Sequence, residues 1–154
     1  MQFSVKKKRE WGMSARELSL TPGQPAAVES LYDEALQEAL RHKWIESQKR
    51  GCDLGENAID EWYDRYWSAY CRFKRIEHLE GLRCWREFGS EDFGNLYTLI
   101  VQGDLLADRI LDRYFAGHEN LDIINWAIDW GLPLNDVVGV LVQLDMNRAR
   151  LDRS

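Results

Sequence analysis

Residues 55–76 read Gly55-Glu56-Asn57-Ala58-Ile59-Asp60-Glu61-Trp62-Tyr63-Asp64-Arg65-Tyr66-Trp67-Ser68-Ala69-Tyr70-Cys71-Arg72-Phe73-Lys74-Arg75-Ile76. Ile59, Trp62, Tyr66, Ala69, Phe73 and Ile76 recur at steps of three and four, the spacing of one face of an α-helix. Tyr63, Trp67 and Cys71 widen that face, so the helix is expected to make contacts on more than one side. Such a helix needs other helices around it. No alternating run of strand length and no internal repeat occurs anywhere in the chain, so the fold is read as all-α.

Working upstream, Gly51 is a natural helix stop. Asp53 is placed to cap the next helix, with Glu56 three residues on completing a capping-box-like pair. A first helix is expected from about Pro25, with Val28, Leu31, Ala35 and Ala39, and a little off the row Leu40 and Trp44, as its inner stripe. Residues 1–24 read as a tail with a basic run, Lys6, Lys7, Lys8 and Arg9, and a turn signal at Thr21-Pro22-Gly23-Gln24-Pro25. Downstream, Gly81 ends or bends the long helix, and Leu82–Phe88 adds a further turn or two. Ser90 is expected to cap a third helix carrying Phe93, Leu96, Tyr97 and Ile100. Gly103-Asp104 restarts the chain into a fourth with Leu106, Ile110 and Tyr114. Asn120 caps a fifth with Ile123, Ile124 and Ala127. Gly131-Leu132-Pro133 turns into a last helix from Leu134 or Asn135 towards Arg150. The expectation is a compact bundle of five or six helices over residues 25–154, with short connections.

Composition narrows the function classes. Aromatics make up 12% of the 154 residues, which supplies a real core. The formal charge of −6 disfavours general nucleic-acid binding. Cys52, Cys71 and Cys84 are an odd set without paired spacing, which is no disulfide framework and points to a reducing compartment. The longest apolar stretch, Val137 to Val142, is far short of a membrane span, and the first residues lack the apolar core of a signal peptide. The expected location is cytoplasmic.

Four regions are candidate sites. Glu38, His42 and Glu46 share one helix face at i, i+4 and i+8, which suits metal ligands or an acid–base pair. His78 and Glu80, or Asp60 and Asp64, are the residues of the second helix that would complete it. Spaced i,i+4 charges also simply support a solvated face. The same stretch carries His42-Lys43-Trp44-x-x-Ser47-Gln48-x-x-Gly51-x-Asp53-x-Gly55. This string resembles a short motif of uncharacterised bacterial helical proteins, among them a domain of unknown function that follows lipopolysaccharide-kinase-like regions. There Glu is expected where this chain has Gln48. The resemblance spans 15–30 residues and implies no activity. Capping accounts for Gly51, Asp53 and Glu56, but not for His42, Lys43 or Ser47.

The second region is Trp126-Ala127-Ile128-Asp129-Trp130-Gly131-Leu132 leading through Pro133 into Val137 and Val140, which resembles a helix-turn-helix. Its second helix would present Asn135, Asp136, Val138, Gly139 and Gln143, with no cation before Arg148, so phosphate contacts are missing and an ordinary helical corner competes. The third is the Lys6–Arg9 run beside Trp11, which suits an RNA, an anionic surface or an acidic partner. The fourth is an aromatic belt around Trp62, Tyr63, Arg65, Tyr66, Trp67 and Tyr70, with Phe73 and Trp85. It has the residue types of an interface, and plain core is the competing reading. Cys71 and His78, at i and i+7, allow a thiolate pair that nothing else marks out.

The sequence assigns no catalytic residue, no metal and no cofactor. It favours a small protein-interaction module, an adaptor, regulator or accessory subunit of a larger assembly. The alternatives are a helical-bundle enzyme or ligand binder built on the carboxylates and His of the first two helices, and a nucleic-acid-binding regulator using the tail and the last helix pair. Oligomeric state is left open.

Overall fold

The computed structural model describes residues 27–101 and 104–153, so the Lys6–Arg9 run and the expected start at Pro25 lie outside the described residues. Six α-helices follow in order: α1 Leu31–Arg50, α2 Glu56–Leu79, α3 Asn95–Val101, α4 Leu105–Phe115, α5 Asn120–Asp129 and α6 Leu134–Leu144. Two 3₁₀ turns, Arg86–Phe88 and Met146–Ala149, complete the path. Among the described residues there is no strand, only an isolated bridge between Glu29 and Trp85. None of the described helices is long and apolar enough to cross a membrane.

The bridge explains the first departure from the sequence expectation. Glu29 is extended, donating its N–H to the Cys84 carbonyl and accepting from the Arg86 N–H, so α1 starts at Leu31 instead of near Pro25. The Glu87 carboxylate accepts from the Leu31 N–H at 2.9 Å and from Ser30 Oγ at 2.8 Å, satisfying the helix start from outside the helix. The buried row of α1 is Leu31, Ala35, Ala39 and His42. Val28, Leu40 and Trp44, expected inside, are exposed.

Other helix starts mix agreement and correction. Asp104, where the sequence restarts the chain, caps α4 through both the Leu106 and Ala107 N–H groups. Glu119, not Asn120, caps α5, in a reciprocal box with Asp122. Ser90 caps nothing; residues 91–94 form turns and α3 begins at Asn95. The last helix stops at Leu144, with Asp145 in the left-handed region at φ 42°.

Two apolar clusters meet on α2. Its middle buries Trp62, Trp67, Tyr70, Cys71 and Phe73 against Leu31, Ala35 and Ala39 of α1 and against Trp85, Phe88 and Ala149. Its last turn places Ile76 and Leu79 in the second cluster, with α3, α4, α5 and α6. The Phe115 ring stacks on Phe73 at 5.4 Å and joins the two.

Candidate functional site

The turn between α1 and α2 gathers the motif residues. Gly51 ends α1 at φ 70°, a conformation that costs an L side chain about 1 kcal/mol. Ser47 Oγ accepts from the Leu54 N–H at 3.2 Å, which ties the last turn of α1 to the incoming chain. Asp53 Oδ1 accepts from the Gly55 N–H at 2.9 Å, and Lys43 Nζ lies 3.5 Å from the same oxygen. That backbone hydrogen bond, then the Lys43 charge, holds the Asp53 carboxyl below its ordinary range. Asp53 therefore braces the turn and does not cap α2, whose N-cap is Gly55 at φ 65°, ψ −156°. His42 is buried, with its ring edge-on to Tyr66 at 5.9 Å. His42, Lys43, Ser47, Gly51, Asp53 and Gly55 thus fasten one helical hairpin.

Trp44 is the exception. It is 65% exposed, and the turn gives it no partner to pack on. Leu40 and Leu36, one and two turns before it at steps of four, are exposed on the same side. Asp33, Gln37, Arg41 and Gln48 flank them. Arg41, Lys49 and Arg50 are exposed in the C-terminal half of α1.

The acid–base reading of the first two helices finds its carboxylates engaged. Glu38 lies 3.7 Å from Arg41, and Glu46 lies 3.1 Å from Lys49. The Lys49 hydrogen bond is the largest cause of the lowered Glu46 carboxyl. Asp60 and Asp64 both hold Arg153, at 2.7 and 2.6 Å. The hollow beside His42 measures about 160 Å³, and the described residues place no group of three metal-ligating side chains together.

The aromatic belt is largely core. Trp62 and Tyr70 are fully buried and Trp67 nearly so. Tyr32 of α1 stacks on Trp67 at 5.6 Å, and the Trp67 Nε1–H donates to the Leu151 carbonyl at 2.8 Å. Tyr63 and Tyr66 are half-buried, and the Arg153 guanidinium sits 4.9 Å from the Tyr63 ring. Arg65 is exposed and pairs with Glu61 of its own helix. Trp62, Trp67 and Tyr70, expected to bind a partner, are therefore buried within the chain, and Arg65 stays exposed. Burial also raises the Cys71 thiol, which makes it inert.

One cluster was missed at the sequence level. Lys74, Arg75, Glu77 and His78 are all buried in the second half of α2. Arg75 Nη2 lies 2.6 Å from Asp92 Oδ2, and Arg148 reaches the same oxygen at 3.1 Å. His78 Nε2 lies 3.2 Å from Asp92 Oδ1, while His78 Nδ1 accepts from the Trp85 N–H at 3.0 Å. That bond fixes the proton on Nε2. An Asp–His pair of this kind resembles a general-base dyad, but its second nitrogen is occupied by the backbone and is sealed from solvent. The signal in the sequence was four ionisable residues in a helix whose neighbours are aromatic on every side.

The C-terminal corner forms as its pattern suggested. Ala127 is buried where α5 and α6 meet, and Gly131 turns the chain at φ 63°. Asn135, Asp136, Val138, Gly139 and Gln143 are exposed, and Arg148 is spent on Asp92. The chain matches no protein-family model, no curated protein and no solved structure.

Proposed function

We propose that the chain is a helical protein-interaction module, an adaptor, regulator or accessory subunit working in the cytoplasm. Its partner-binding face is the outer row of α1, Leu36, Leu40 and Trp44. The observation that supports this reading is Trp44, a large apolar side chain left exposed in a motif whose other conspicuous residues are occupied by the turn. Tryptophan in a fixed position on a rigid helix is the residue type that most often dominates interface energy. The row at steps of four is a ridge suited to packing against a helix or an apolar groove. The free thiols of Cys52, Cys71 and Cys84 suit a reducing compartment.

The test is a native pull-down of the tagged chain from its own cells, with and without nuclease, beside a Trp44→Ala/Leu40→Ala variant. A stoichiometric protein that survives nuclease and is lost with the variant supports the reading. Recovery of no protein, or of one that the variant retains, overturns it. Circular dichroism of the variant confirms that the fold is intact.

A further inference from the structure

A second surface, on α6, is separate from the α1 row. Val137, Val140, Leu141 and Leu144 point into the core, while Leu134, Val138 and Val142 stand outside, Val142 at 72% exposure. Asp136 is the one charged side chain among the eleven residues of this helix. A helix on a protein surface ordinarily carries its charges outward; one that is apolar all round is a helix meant to be covered. Ile128 and Trp130, the latter also 72% exposed, leave further apolar surface at the end of α5.

Gly139 sits at the middle of this helix. A Cβ at that position would meet nothing within 4 Å, and its backbone is ordinary helix. Nothing inside the chain therefore requires a residue that weakens a helix interior. A mid-helix glycine does permit close approach of another backbone. Beside it runs a groove of about 720 Å³ between α4 and α6, with Leu105, Arg109, Asp136 and Gln143 among its walls. Arg109 and Asp136 are exposed, and neither has an ion-pair partner among the described residues.

We propose that a second copy of this chain covers the face, α6 against α6, antiparallel about a two-fold axis near Gly139. A two-fold contact sets the same patch against itself, so its chemistry must be self-complementary. This patch is. Its outer row carries no charge to repel its own image. The groove beside it offers one base and one acid that have no ion-pair partner among the described residues, which a two-fold exchange can pair reciprocally. Centred between Val138 and Gly139, the antiparallel arrangement sets each Val138 side chain over the gap left by the other Gly139. Opposed helix dipoles favour the same arrangement. A highly charged partner would find little on the outer row to answer it.

Sedimentation velocity on the full chain, from about 1 to several hundred μM, tests this. The expected result is a reversible monomer–dimer equilibrium. Gly139→Leu and Val142→Glu should each weaken it at least tenfold. Gly139→Ala is the sharper variant, because the monomer has room for the methyl: it should keep or raise the thermal midpoint yet weaken the dimer. Arg109→Asp and Asp136→Arg should each weaken association, and the double reversal should restore it. Trp44→Ala should leave it unchanged, which separates this face from the α1 row. A monomer throughout the range overturns the proposal. A dimer indifferent to Gly139→Leu and Val142→Glu, or a double reversal no better than its single variants, overturns it as well.

Discussion

At the scale of single residues, Asp92 is the centre of the buried charge. Burial pushes its carboxyl up, but the Arg75 hydrogen bond and charge, with His78 and Arg148 beside them, outweigh burial and hold it below its ordinary value. Arg75 has no exposure, so removing its partner leaves a guanidinium stranded in the core. Asp92→Asn should therefore lower stability by about 3–5 kcal/mol in urea denaturation, a large part of what a domain of this size has. His78 is held down instead, first by burial and then against the pull of Asp92. Above an unfolded pKa of about 6.5 both states are neutral and its contribution is whole. Below that, the unfolded chain takes up a proton that the folded chain refuses until lower pH, so stability falls as the solution is acidified. The thermal midpoint of the wild type should drop between pH 6.5 and 5. His78→Gln, which can still accept from the Trp85 N–H and never charges, should drop less over that interval. An equal slope in both proteins would place the acid sensitivity elsewhere. None of this cluster was legible from spacing, because the partners come together across turns. Asp92, fourteen residues beyond His78, falls just after Ser90, where the sequence is read as opening a third helix.

At the scale of elements, the caps show what local sequence can and cannot fix. Gly51 and Asp104 were readable because each acts on its own neighbours: a left-handed stop, and a carboxylate facing the next two or three N–H groups. Asp53 was misread, because Gly55 takes the extended, positive-φ position where a capping side chain would have stood. The α1 stripe teaches a different lesson. Leu31, Ala35 and Ala39 are each four apart and drift around the helix, so the next inward position is Ala39 plus three, which is His42. Periodicity already named it; the apolar identity of Leu40 and Trp44 pulled the reading off the row. Two substitutions test the element. Gly51→Ala should destabilise the chain by about 1 kcal/mol, since the αL backbone is strained for any Cβ. Trp44→Ala should change stability by less than about 0.5 kcal/mol, because the side chain is a surface residue. Parallel urea curves for the two variants decide it. A large loss from Trp44→Ala would mean that this tryptophan supports the fold, and the proposed binding row would lose its anchor.

At the scale of the whole molecule, the all-α class and the six helices of the described residues were legible because amphipathic periodicity is local. What the C-terminal residues do was not, since it depends on contacts spanning 80 residues and more. The chain passes back over the α1–α2 hairpin: Tyr32 Oη donates to the Asp152 carbonyl at 2.8 Å, and Trp67 Nε1 donates to that of Leu151. Arg153 then spans Asp60 and Asp64 of α2. This closure explains why so broad an aromatic helix leaves so little of itself exposed, and why Trp62, Trp67 and Tyr70 of the belt lie in the core. The exposed ion pairs of Arg153 are worth little one by one, about 0–1 kcal/mol each. The acceptor at Leu151 matters more, because without it the nearly buried Trp67 N–H is left unsatisfied, at about 1–3 kcal/mol. Removal of residues 151–154 should therefore cost about 1–3 kcal/mol, whereas Arg153→Ala should cost under about 1 kcal/mol. The two chains, compared by urea denaturation followed through tryptophan fluorescence, separate the contributions. If Arg153→Ala alone reproduces the full loss, the salt bridges hold the C-terminus in place and the Trp67 hydrogen bond only follows. If the truncation loses several times more, the C-terminal backbone is part of the core that α2 organises.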